Sequence, residues 1–403
     1  MSHNATAHGL EGDWERPDWP PITLDFARRL ITHFPQAGCP EALVSISPRP
    51  FSSASVIQTD RNRVFIKRHS WRVRDVEGLE EEHRFMAHLR AKGAPVPVVF
   101  AVHSGATAVV LEDSFGLWSC EVQSVPDGVD LYRDALSWTP FQSPEHAYSA
   151  GQALAEIHCC AGDYDAPQRA PRPLVASFTI FAAADSDAAL DSFLVSRPHL
   201  AHYIEQSHSA QQAFELLAPF HRELQPLMSK LDPLWTHNDL HASNLLWSSN
   251  QLAAHTTAVL DFGLADRTNC VHDLALAIER NIVEWLKLPP VVDQGTIIPV
   301  HFGALQALID GYQSVRPLSS SECAALAPMT ALCHAEFALS EADYFLTALH
   351  SQHKASLAVD GYLLGHARWF RSLNGEQLID AIRRAVTPID SLASQLSSRG
   401  EPC

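Results

Sequence analysis

The residues that decide the fold lie between positions 235 and 263. They read Trp-Thr-His-Asn-Asp-Leu-His-Ala-Ser-Asn-Leu-Leu-Trp from 235 to 247 and Ala-Val-Leu-Asp-Phe-Gly from 258 to 263. Asp239 precedes Asn244 by five residues, and Asp261 opens the tripeptide Asp-Phe-Gly. The apolar runs 245–247 and 258–260 are separated by polar residues, which predicts a β-hairpin that brings Asn244 and Asp261 together.

This spacing suits phosphoryl transfer. A carboxylate must hold an acceptor hydroxyl in line with the γ-phosphorus and take its proton, and Asp239 is the predicted catalytic base. Mg²⁺ prefers oxygen ligands and takes only one or two from the protein. We predict that Asn244 and Asp261 supply them. Each fragment alone is common by chance, but the order H-x-D, Asn and D-F-G is typical of the catalytic loop and metal-binding turn of kinases.

Composition and charge narrow the function further. A chain of 403 residues with 46% hydrophobic and 19% charged residues is globular and long enough for two lobes. We expect a cytoplasmic protein without a membrane partner, because there is neither an apolar run of spanning length nor a signal-like N-terminus. The eight cysteines form no C-x-x-C pair, which favours reduced thiols.

The net charge of −17 argues against a nucleic-acid partner, whose phosphates would be repelled. The same charge is compatible with a cationic substrate, because an acidic cleft concentrates positive ligands.

The sequence of the N-terminal part predicts a small nucleotide-binding lobe. Residues 1–40 form an arm and a helix from Leu24 to about His33, and the lobe spans 41–123. The strand Arg63-Val-Phe-Ile-Lys67 resembles the V-A-I-K strand of kinases, so Lys67 is the candidate ligand of the α- and β-phosphates.

A helix from Val76 to Arg90 follows that strand and carries an acidic run. Glu82 is the favoured partner of Lys67, and Glu81 is the alternative. The strand-like runs 98–102, 106–111 and 117–122 complete a small sheet by about Gln123.

The last strand of this lobe, Glu121-Val-Gln123, is expected to offer main-chain groups to the edge of adenine. Glu121 and Gln123 are therefore predicted nucleotide-binding positions. No G-x-G-x-x-G precedes Lys67, so the loop that covers the nucleotide is assigned to 49–55 by position alone.

We predict that residues 124–390 form a larger, mainly helical lobe, followed by a tail at 391–403. The helical patterns cover Ser143 to Cys159, Asp185 to Leu231, Val271 to Leu286, Val300 to Val315, Ser319 to His350 and Ser356 to Leu373. Only seven residues separate Gly263 from the helix that starts at Val271. A protein kinase needs a longer activation segment that ends in A-P-E, so we expect a small acceptor molecule.

These motifs resemble the aminoglycoside phosphotransferase-like family of small-molecule kinases, which includes choline, homoserine and methylthioribose kinases. The resemblance rests on His-Asn-Asp-Leu-His-Ala-Ser-Asn at 237–244, on Leu-Asp-Phe-Gly at 260–263, and on Val-His-Asp-Leu-Ala at 271–275. It covers roughly 45–288 well and the C-terminal helices loosely. It implies an α+β, bilobal protein-kinase-like fold, with a small antiparallel N-terminal sheet, one helix, and a larger helical C-terminal lobe.

The resemblance also implies Mg²⁺-dependent transfer of the γ-phosphate of ATP or GTP to a hydroxyl of a small molecule, including cationic ones such as aminoglycosides. By position, Asp239 resembles the catalytic base, Asn244 and Asp261 the magnesium ligands, Lys67 the phosphate-binding lysine and Glu82 its partner. In addition, His237 resembles the residue that braces the loop, and Asp273 a helix-start residue that supports it.

Three alternatives stay open at this point. Within the enzyme class, the acceptor could be a metabolite such as an amino acid, an amino alcohol or a sugar. The absent glycine pattern is compatible with a non-catalytic nucleotide-binding protein on a kinase scaffold. Finally, His237 and His241 with Asp239 and Asp261 could form a metallohydrolase site, although Asn238 stands where such a motif has Glu.

Overall fold

The computed structural model describes residues 17–386. The first part of the expected N-terminal arm and the expected tail at 391–403 therefore lie outside the described residues. The described chain forms the predicted α+β architecture, in which an antiparallel sheet of the first 124 residues faces a larger helical region.

The N-terminal lobe is a five-stranded sheet with two helices. Its elements are α1 (Leu24–Ile31), β1 (Pro40–Ile46), β2 (Ser53–Thr59), β3 (Arg63–Ser70), α2 (Val76–Ala91), β4 (Ala108–Asp113) and β5 (Gly116–Ser124). The strand order is β1-β2-β3-β5-β4, with all neighbours antiparallel. Lys67 on the central strand β3 is paired with Glu121 on β5.

The sheet differs from the prediction in three strands. No strand is predicted at 45–56, which is rich in Ser and Pro, yet this run contains parts of β1 and β2. Conversely, the predicted strand 98–102 is wrong, since it contributes only an isolated bridge between Val99 and Gln123. Strand pairing, rather than local composition, decides these segments.

A separate apolar core fastens α1 to the sheet. Phe26 and Leu30 of α1 are buried in one cluster with Ile57, Ile66 and Trp118 from three strands. The helix begins at a Thr23 side chain that accepts from the amide of Phe26, and it ends two residues before the predicted end. This core packs α1 against β2, β3 and β5.

The C-terminal lobe contains eleven helices and four short strands among the described residues. The elements are α3 (Pro144–Ala161), α4 (Ser186–Val195), α5 (Pro198–Gln206), α6 (Ser209–Met228), β6 (Pro233–Thr236), β7 (Leu245–Trp247), β8 (Thr256–Val259), β9 (Asp266–Asn269), α7 (Cys270–Ile282), α8 (Phe302–Val315), α9 (Ser320–Leu332), α10 (His334–Thr347), α11 (Gln352–Ser356), α12 (Gly365–Phe370) and α13 (Leu373–Ala385). A π-helical segment, Leu357–Leu364, joins α11 to α12.

Most of the helical predictions for this lobe are confirmed. The long stretch 185–231 is three helices, and 319–350 is the pair α9 and α10. Helix α7 ends at Ile282, four residues before the predicted end, and α13 was not predicted. The predicted hairpin is confirmed as β7 and β8, which pair antiparallel.

One helical run of the described chain, Ser320–Thr347, is long and apolar enough to span a membrane by length and composition. Its apolar window is 89% buried inside the protein, as expected of a helix in the core. The cytoplasmic location stays a prediction.

Candidate active site

The loop between β6 and β7 holds Asp239 in a fixed place. The Asp273 carboxylate accepts from the backbone amides of His237 at 2.7 Å and Asn238 at 2.8 Å. Asp273 is itself held by His158 of α3, whose Nε2 lies 3.0 Å from it. Two backbone donors and a histidine on one buried carboxylate fix the entry to the loop, as the resemblance implied for Asp273.

His237 braces the loop from behind. Its Nε2 lies 2.8 Å from the carbonyl of Leu260, and its Nδ1 accepts from the amide of Asp239 at 3.1 Å. Burial lowers the pKa of His237, so the ring is neutral and both nitrogens are used. A metallohydrolase site would need one nitrogen of His237 as a metal ligand. Both nitrogens are already hydrogen-bonded, which argues against such a site.

The far end of the loop is held by Asn281 of α7, a residue that the sequence analysis did not single out. Its Oδ1 accepts from the amide of Ala242 at 2.9 Å, and its Nδ2 donates to the carbonyl of Leu240 at 2.9 Å. Asn281 is fully buried. No motif marks this asparagine, and only the packing of α7 under the loop shows its role.

Three side chains surround the Asp239 carboxylate. Asn244 donates from Nδ2 to the carbonyl of Asp239 at 2.9 Å and to its Oδ2 at 3.1 Å. The guanidinium of Arg280 forms an ion pair with Oδ1, and Nε2 of His241 lies 3.7 Å from the same oxygen. The predicted base and the predicted metal ligand Asn244 are thus in direct contact.

Asp261 faces Lys67 across the cleft between the lobes. Nζ of Lys67 donates to Oδ1 of Asp261 at 2.8 Å. Burial opposes ionisation of the carboxyl, but Lys67 holds the pKa of Asp261 well below its usual range. Burial acts to lower the pKa of Lys67, but the charges of Asp261, Glu121 and Glu82 together raise it. The pair is ionised at neutral pH and ties the β-sheet to the Asp-Phe-Gly turn.

The predicted pairing of Lys67 with Glu82 is wrong. Glu82 accepts from Nη1 of Arg74 at 2.8 Å and lies 3.6 Å from Arg169. The alternative, Glu81, lies 3.4 Å from Arg169 instead. The carboxylates of Glu81 and Glu82 on α2 are therefore paired with arginines, whereas Lys67 is paired with Asp261.

Arg169 also links α2 to the Asp-Phe-Gly turn. Its Nη1 donates to the carbonyls of Gly263 and Ala265, both at 3.1 Å, and its Nη2 donates to the carbonyl of Gly78 at 2.7 Å. The turn is therefore held by a buried arginine as well as by Lys67.

The predicted adenine-binding stretch is engaged inside the sheet. Glu121 pairs with Lys67 on one side and with Ala108 on the other, and Gln123 pairs with Phe65 and bridges to Val99. Their main chains are consequently committed to strand pairing, so the expected main-chain role of these two residues is wrong.

The Glu121 side chain is the centre of a buried network. Its carboxylate lies 2.8 Å from Nε2 of His83 and 3.4 Å from Nε2 of His69, and Gln123 donates to it at 2.6 Å. Although burial opposes ionisation, the bonds to His69 and His83 and the charge of Lys67 hold the pKa of Glu121 well below its usual range. Glu82, His83 and Glu121 have the mutual spacing of metal ligands, but Arg74 already neutralises Glu82.

Two adjoining cavities meet at the predicted site. One is lined by the sheet, the end of β5 and the hairpin β7–β8, and it contains Glu82, Glu121 and Gln123. The other contains Asp239 and lies against α7 and α10. The two cavities share the lining residues Pro48, Arg49, Lys67, Asn244 and Asp261. All seven predicted site residues line one or both cavities.

The loop 47–52 between β1 and β2 covers the junction of the cavities. Arg49 donates from Nη1 to Oγ of Ser137 at 3.0 Å, and the Phe51 ring packs edge-on against Tyr344 of α10 at 5.4 Å. Both contacts cross from the N-terminal lobe to the C-terminal lobe. The segment predicted to cover the nucleotide is thus a loop of the N-terminal lobe that also contacts the C-terminal lobe.

Backbone strain concentrates at the same place. Asp261 (φ 56°) and Asn238 (φ 59°) have left-handed backbone in the site, and Trp138 (φ 66°) and Leu174 (φ 54°) have it in the lining of the Asp239 cavity. Such conformations cost about 1–3 kcal/mol each and persist where the surroundings impose them, often at functional sites.

A kinase-like fold that brings the predicted base, the two predicted metal ligands and a lysine to one cleft is typical of phosphoryl-transfer proteins. The family model described as "Phosphotransferase enzyme family" matches residues 49–317. The chain therefore belongs to the phosphotransferase enzyme family, which confirms the resemblance and makes the protein a phosphotransferase.

Solved structures agree on the fold. A microcompartment-associated aminopropanol kinase matches 90% of this chain and 100% of its own, at 17% identity and a TM-score of 0.57. The amicoumacin kinase hAmiN, solved with AMP-PNP, Ca²⁺ and Ami, matches 86% of this chain and 92% of its own, at 13% identity and a TM-score of 0.52. No curated protein sequence matches the chain.

Proposed function

We propose that the protein transfers the γ-phosphoryl group of ATP or GTP, with Mg²⁺, to a hydroxyl of a small molecule. The observation that supports this most directly is that Lys67, Asp239, Asn244 and Asp261 line one cavity. Each has the chemistry that its role in such a transfer requires.

Asp239 is the proposed catalytic base. It lies in a loop whose backbone is fixed by Asp273 before Asp239 and by Asn281 after it. A carboxylate held in this way can orient an acceptor hydroxyl and take its proton as the oxygen attacks the γ-phosphorus.

Asn244 and Asp261 fit the proposed metal. The amide nitrogen of Asn244 is turned toward Asp239, which leaves its oxygen for another partner, and Asp261 is an ionised carboxylate in the same cavity. Two hard oxygen donors next to a triphosphate suit Mg²⁺. When bound, the ion would neutralise charge on the oxygens of the transferring group.

The cavity against the sheet is the proposed nucleotide site. Its apolar lining includes Ile46, Val56, Leu246 and Leu260, which suits a purine ring. Strand β5 ends at Ser124, so the main chain of Val125 is the first in this segment outside strand pairing. We propose that Val125, rather than Glu121 or Gln123, meets the edge of the base.

Arg49 is the proposed phosphate contact of the covering loop. Its neighbours Pro48 and Pro50 lack a backbone N–H, so the loop offers few of the amides that a glycine-rich loop supplies. The Arg49 guanidinium lies at the junction of both cavities, and Asp261 is one of the charges that act on it. A cation there can replace the missing amides.

A small acceptor is supported by the short connection after Gly263. Strand β9 starts at Asp266 and pairs with β6, and α7 follows at once. No room is left here for a peptide-binding segment. The acceptor, whether an antibiotic or a metabolite, would enter the cavity that contains Asp239.

Substitution of Asp239 by Asn tests this function. The variant keeps the shape of the side chain but loses the proton acceptor, so release of ADP in the presence of an acceptor should fall by roughly 10²- to 10⁴-fold. Nucleotide binding, measured by the thermal shift with Mg²⁺ and AMP-PNP, should be retained. Equal turnover in the variant and the wild type would remove Asp239 from the chemistry.

A non-catalytic nucleotide-binding protein is the second candidate. It is favoured by the ion pair between Arg280 and Asp239, which occupies the proposed base, and by the absent glycine pattern. A thermal shift with Mg²⁺ and ATP but no phosphate transfer to anionic, neutral or cationic hydroxyl compounds would support this candidate over the enzyme.

A further inference from the structure

The cavity that contains Asp239 has a basic lining, although the whole chain is acidic. The charged residues of its described lining are the cations Arg49, Lys67, Arg74 and Arg280 and the carboxylates Asp239 and Asp261. Four cations against two carboxylates leave a formal excess of two positive charges. A polycationic acceptor would find no carboxylate in this lining beyond the two that phosphoryl transfer uses.

The cations divide by position. Arg49 and Lys67 also line the nucleotide cavity, where a triphosphate would neutralise them. Arg74 is bonded to Glu82 of α2. Arg280, like Arg74, lines the Asp239 cavity and not the nucleotide cavity within the described residues, but it is not paired with a carboxylate of α2. Arg280 is therefore the cation that an acceptor would meet.

Arg280 is a buried cation. It is 1% exposed, and its Cζ lies 5.0 Å from the centroid of the Phe337 ring. It follows Glu279 and precedes Asn281 in the last turn of α7, and Asn281 anchors that helix to the loop of Asp239. The distance between the guanidinium and Asp239 is consequently set by the fold rather than by a flexible surface side chain.

The burial of Arg280 next to the proposed base Asp239 has a free-energy cost that must be offset. Removing a charge from water costs several kcal/mol, which a single ion pair repays only with good geometry. An arginine that served only to neutralise Asp239 would compete with the acceptor hydroxyl for the carboxylate oxygens. The arrangement is productive if the acceptor itself brings an anion that takes the guanidinium.

We propose that the acceptor is a short hydroxycarboxylate, whose carboxylate Arg280 binds while its hydroxyl lies against Asp239. This inference rests on the proposed function and gives it a substrate class. The planar guanidinium matches a carboxylate through two parallel hydrogen bonds. An ammonium group at the same point would be repelled.

The same contacts limit the size of the acceptor. Because Arg280 touches Asp239, groups bound by these two side chains must be separated by only a few carbon atoms. The remaining lining near them, Leu136, Trp138 and Phe337, is apolar and suits a short hydrocarbon body.

The step conserves atoms and charge. The acceptor oxygen forms a bond to the γ-phosphorus, the bond from that phosphorus to the β–γ bridging oxygen breaks, and the nucleoside diphosphate leaves. The hydroxyl proton passes to Asp239 and then to water. The substrate carboxylate accepts the hydrogen bonds of the Arg280 guanidinium in place of Oδ1 of Asp239, which leaves that oxygen to accept from the hydroxyl.

Acceptors of matched size test the proposal. 4-Hydroxybutyrate, 4-hydroxybutanamide and 4-amino-1-butanol have the same length and carry an anion, no charge and a cation. With the full chain, Mg²⁺ and ATP, we expect kcat/KM for the carboxylate to exceed that for the amide by roughly 10- to 100-fold, the range expected for a lost hydrogen bond to a charge. The amine should be the poorest of the three.

Variants of Arg280 locate the selectivity. Arg280→Met should bring the carboxylate-to-amide ratio of kcat/KM close to one, and Arg280→Lys should give an intermediate ratio. Arg316→Met is the matched control, because Arg316 is a partly buried arginine paired with Glu322 outside both cavities. It should leave the ratio unchanged. The wild-type comparison does not depend on whether any variant folds.

A wild type that prefers the amide or the amine, or a ratio that Arg280→Met does not alter, would overturn the inference. So would the absence of transfer to all three compounds in a preparation that hydrolyses ATP with dependence on Asp239, and in that case the proposed function stands. Absence of any ATP turnover in the presence of hydroxyl compounds of every charge would instead contradict the proposed function itself.

Discussion

At the scale of single residues, the site depends on buried polar side chains that act on backbone atoms. Asp273 and Asn281, both on α7, hold the catalytic loop at its two ends. Arg169 holds the carbonyls of the Asp-Phe-Gly turn. Each of these groups is inaccessible to water, so a lost partner leaves an unpaired buried group that costs about 1–3 kcal/mol.

Replacement of Asn281 by Ala should damage catalysis more than stability alone explains. The variant loses the bonds to Leu240 and Ala242 that fix the loop of Asp239. We expect a loss of stability of about 1–3 kcal/mol and a kcat that is lower by roughly 10- to 100-fold, since small misplacements of a reacting group have effects of this size. Urea unfolding and steady-state kinetics measure the two quantities.

Asn374→Ala is the matched control for that variant. Asn374 is also a buried asparagine, and its Oδ1 accepts from the amide of Ile298 and from the Trp369 ring, away from the site. It should cost similar stability and leave kcat nearly unchanged. Similar losses of kcat in both variants would show that Asn281 has no special part in positioning the loop.

At the scale of elements, the loop 47–52 and helix α7 decide how the two cavities are built. The loop joins β1 to β2 and is fastened to Ser137 and Tyr344 of the other lobe. Helix α7 carries Asp273, Arg280 and Asn281 on buried positions. In the proposed function, the loop 47–52 contacts the nucleotide and α7 contacts the acceptor.

Substitution of Arg49 by Ala should weaken nucleotide binding selectively. The proline-flanked loop then has neither a cation nor a set of free amides for the phosphates. We expect KM for ATP to rise by roughly 10-fold or more, as for the loss of a hydrogen bond to a charged group. The change in kcat should be smaller. ADP release at varied ATP concentration measures both.

Arg61→Ala provides the comparison for Arg49. Arg61 lies at the turn between β2 and β3 and donates to the carbonyl of Pro35, on the exposed side of the same sheet. An unchanged KM for ATP is expected. If Arg49→Ala also left KM unchanged, the loop would not contact the phosphates through this side chain.

The sequence predicted the elements that have a strong local pattern. The catalytic loop, the hairpin β7–β8, α2 and most C-terminal helices follow from spacing and periodicity, and Lys67 stands out on its strand. Strands β1 and β2 were missed because their serines and prolines resemble a loop. The pairing of Glu82 with Arg74 and the roles of Asn281 and Arg280 were missed because they depend on partners that are distant in sequence or packed underneath the loop.

At the scale of the whole molecule, the C-terminal lobe buries histidines that must remain neutral. Burial lowers the pKa of His272 and of His334 to about 4 from the ordinary value of 6.5. Protonation of these rings in the unfolded chain begins near pH 6.5, whereas the folded protein resists it to about pH 4. The unfolded state therefore binds more protons in this range, and stability must fall as the pH is lowered.

We expect the free energy of unfolding to decrease between about pH 6.5 and pH 4, by up to about 3 kcal/mol for each of the two histidines. Urea unfolding at several pH values measures this slope. His272→Gln should flatten it, and His353→Gln, at an exposed position of α11, should not. A slope that is identical in all three proteins would remove His272 from the acid response.

The central claim concerns where the γ-phosphoryl group goes, and ³¹P NMR of a reaction with Mg²⁺, ATP and a mixture of anionic, neutral and cationic hydroxyl compounds tests it most directly. We predict that the γ-phosphate signal of ATP is replaced by a phosphomonoester signal with the wild type and persists with Asp239→Asn. A γ-phosphate signal that persists with the wild type, or that appears only as inorganic phosphate at the same rate in both proteins, would contradict the account.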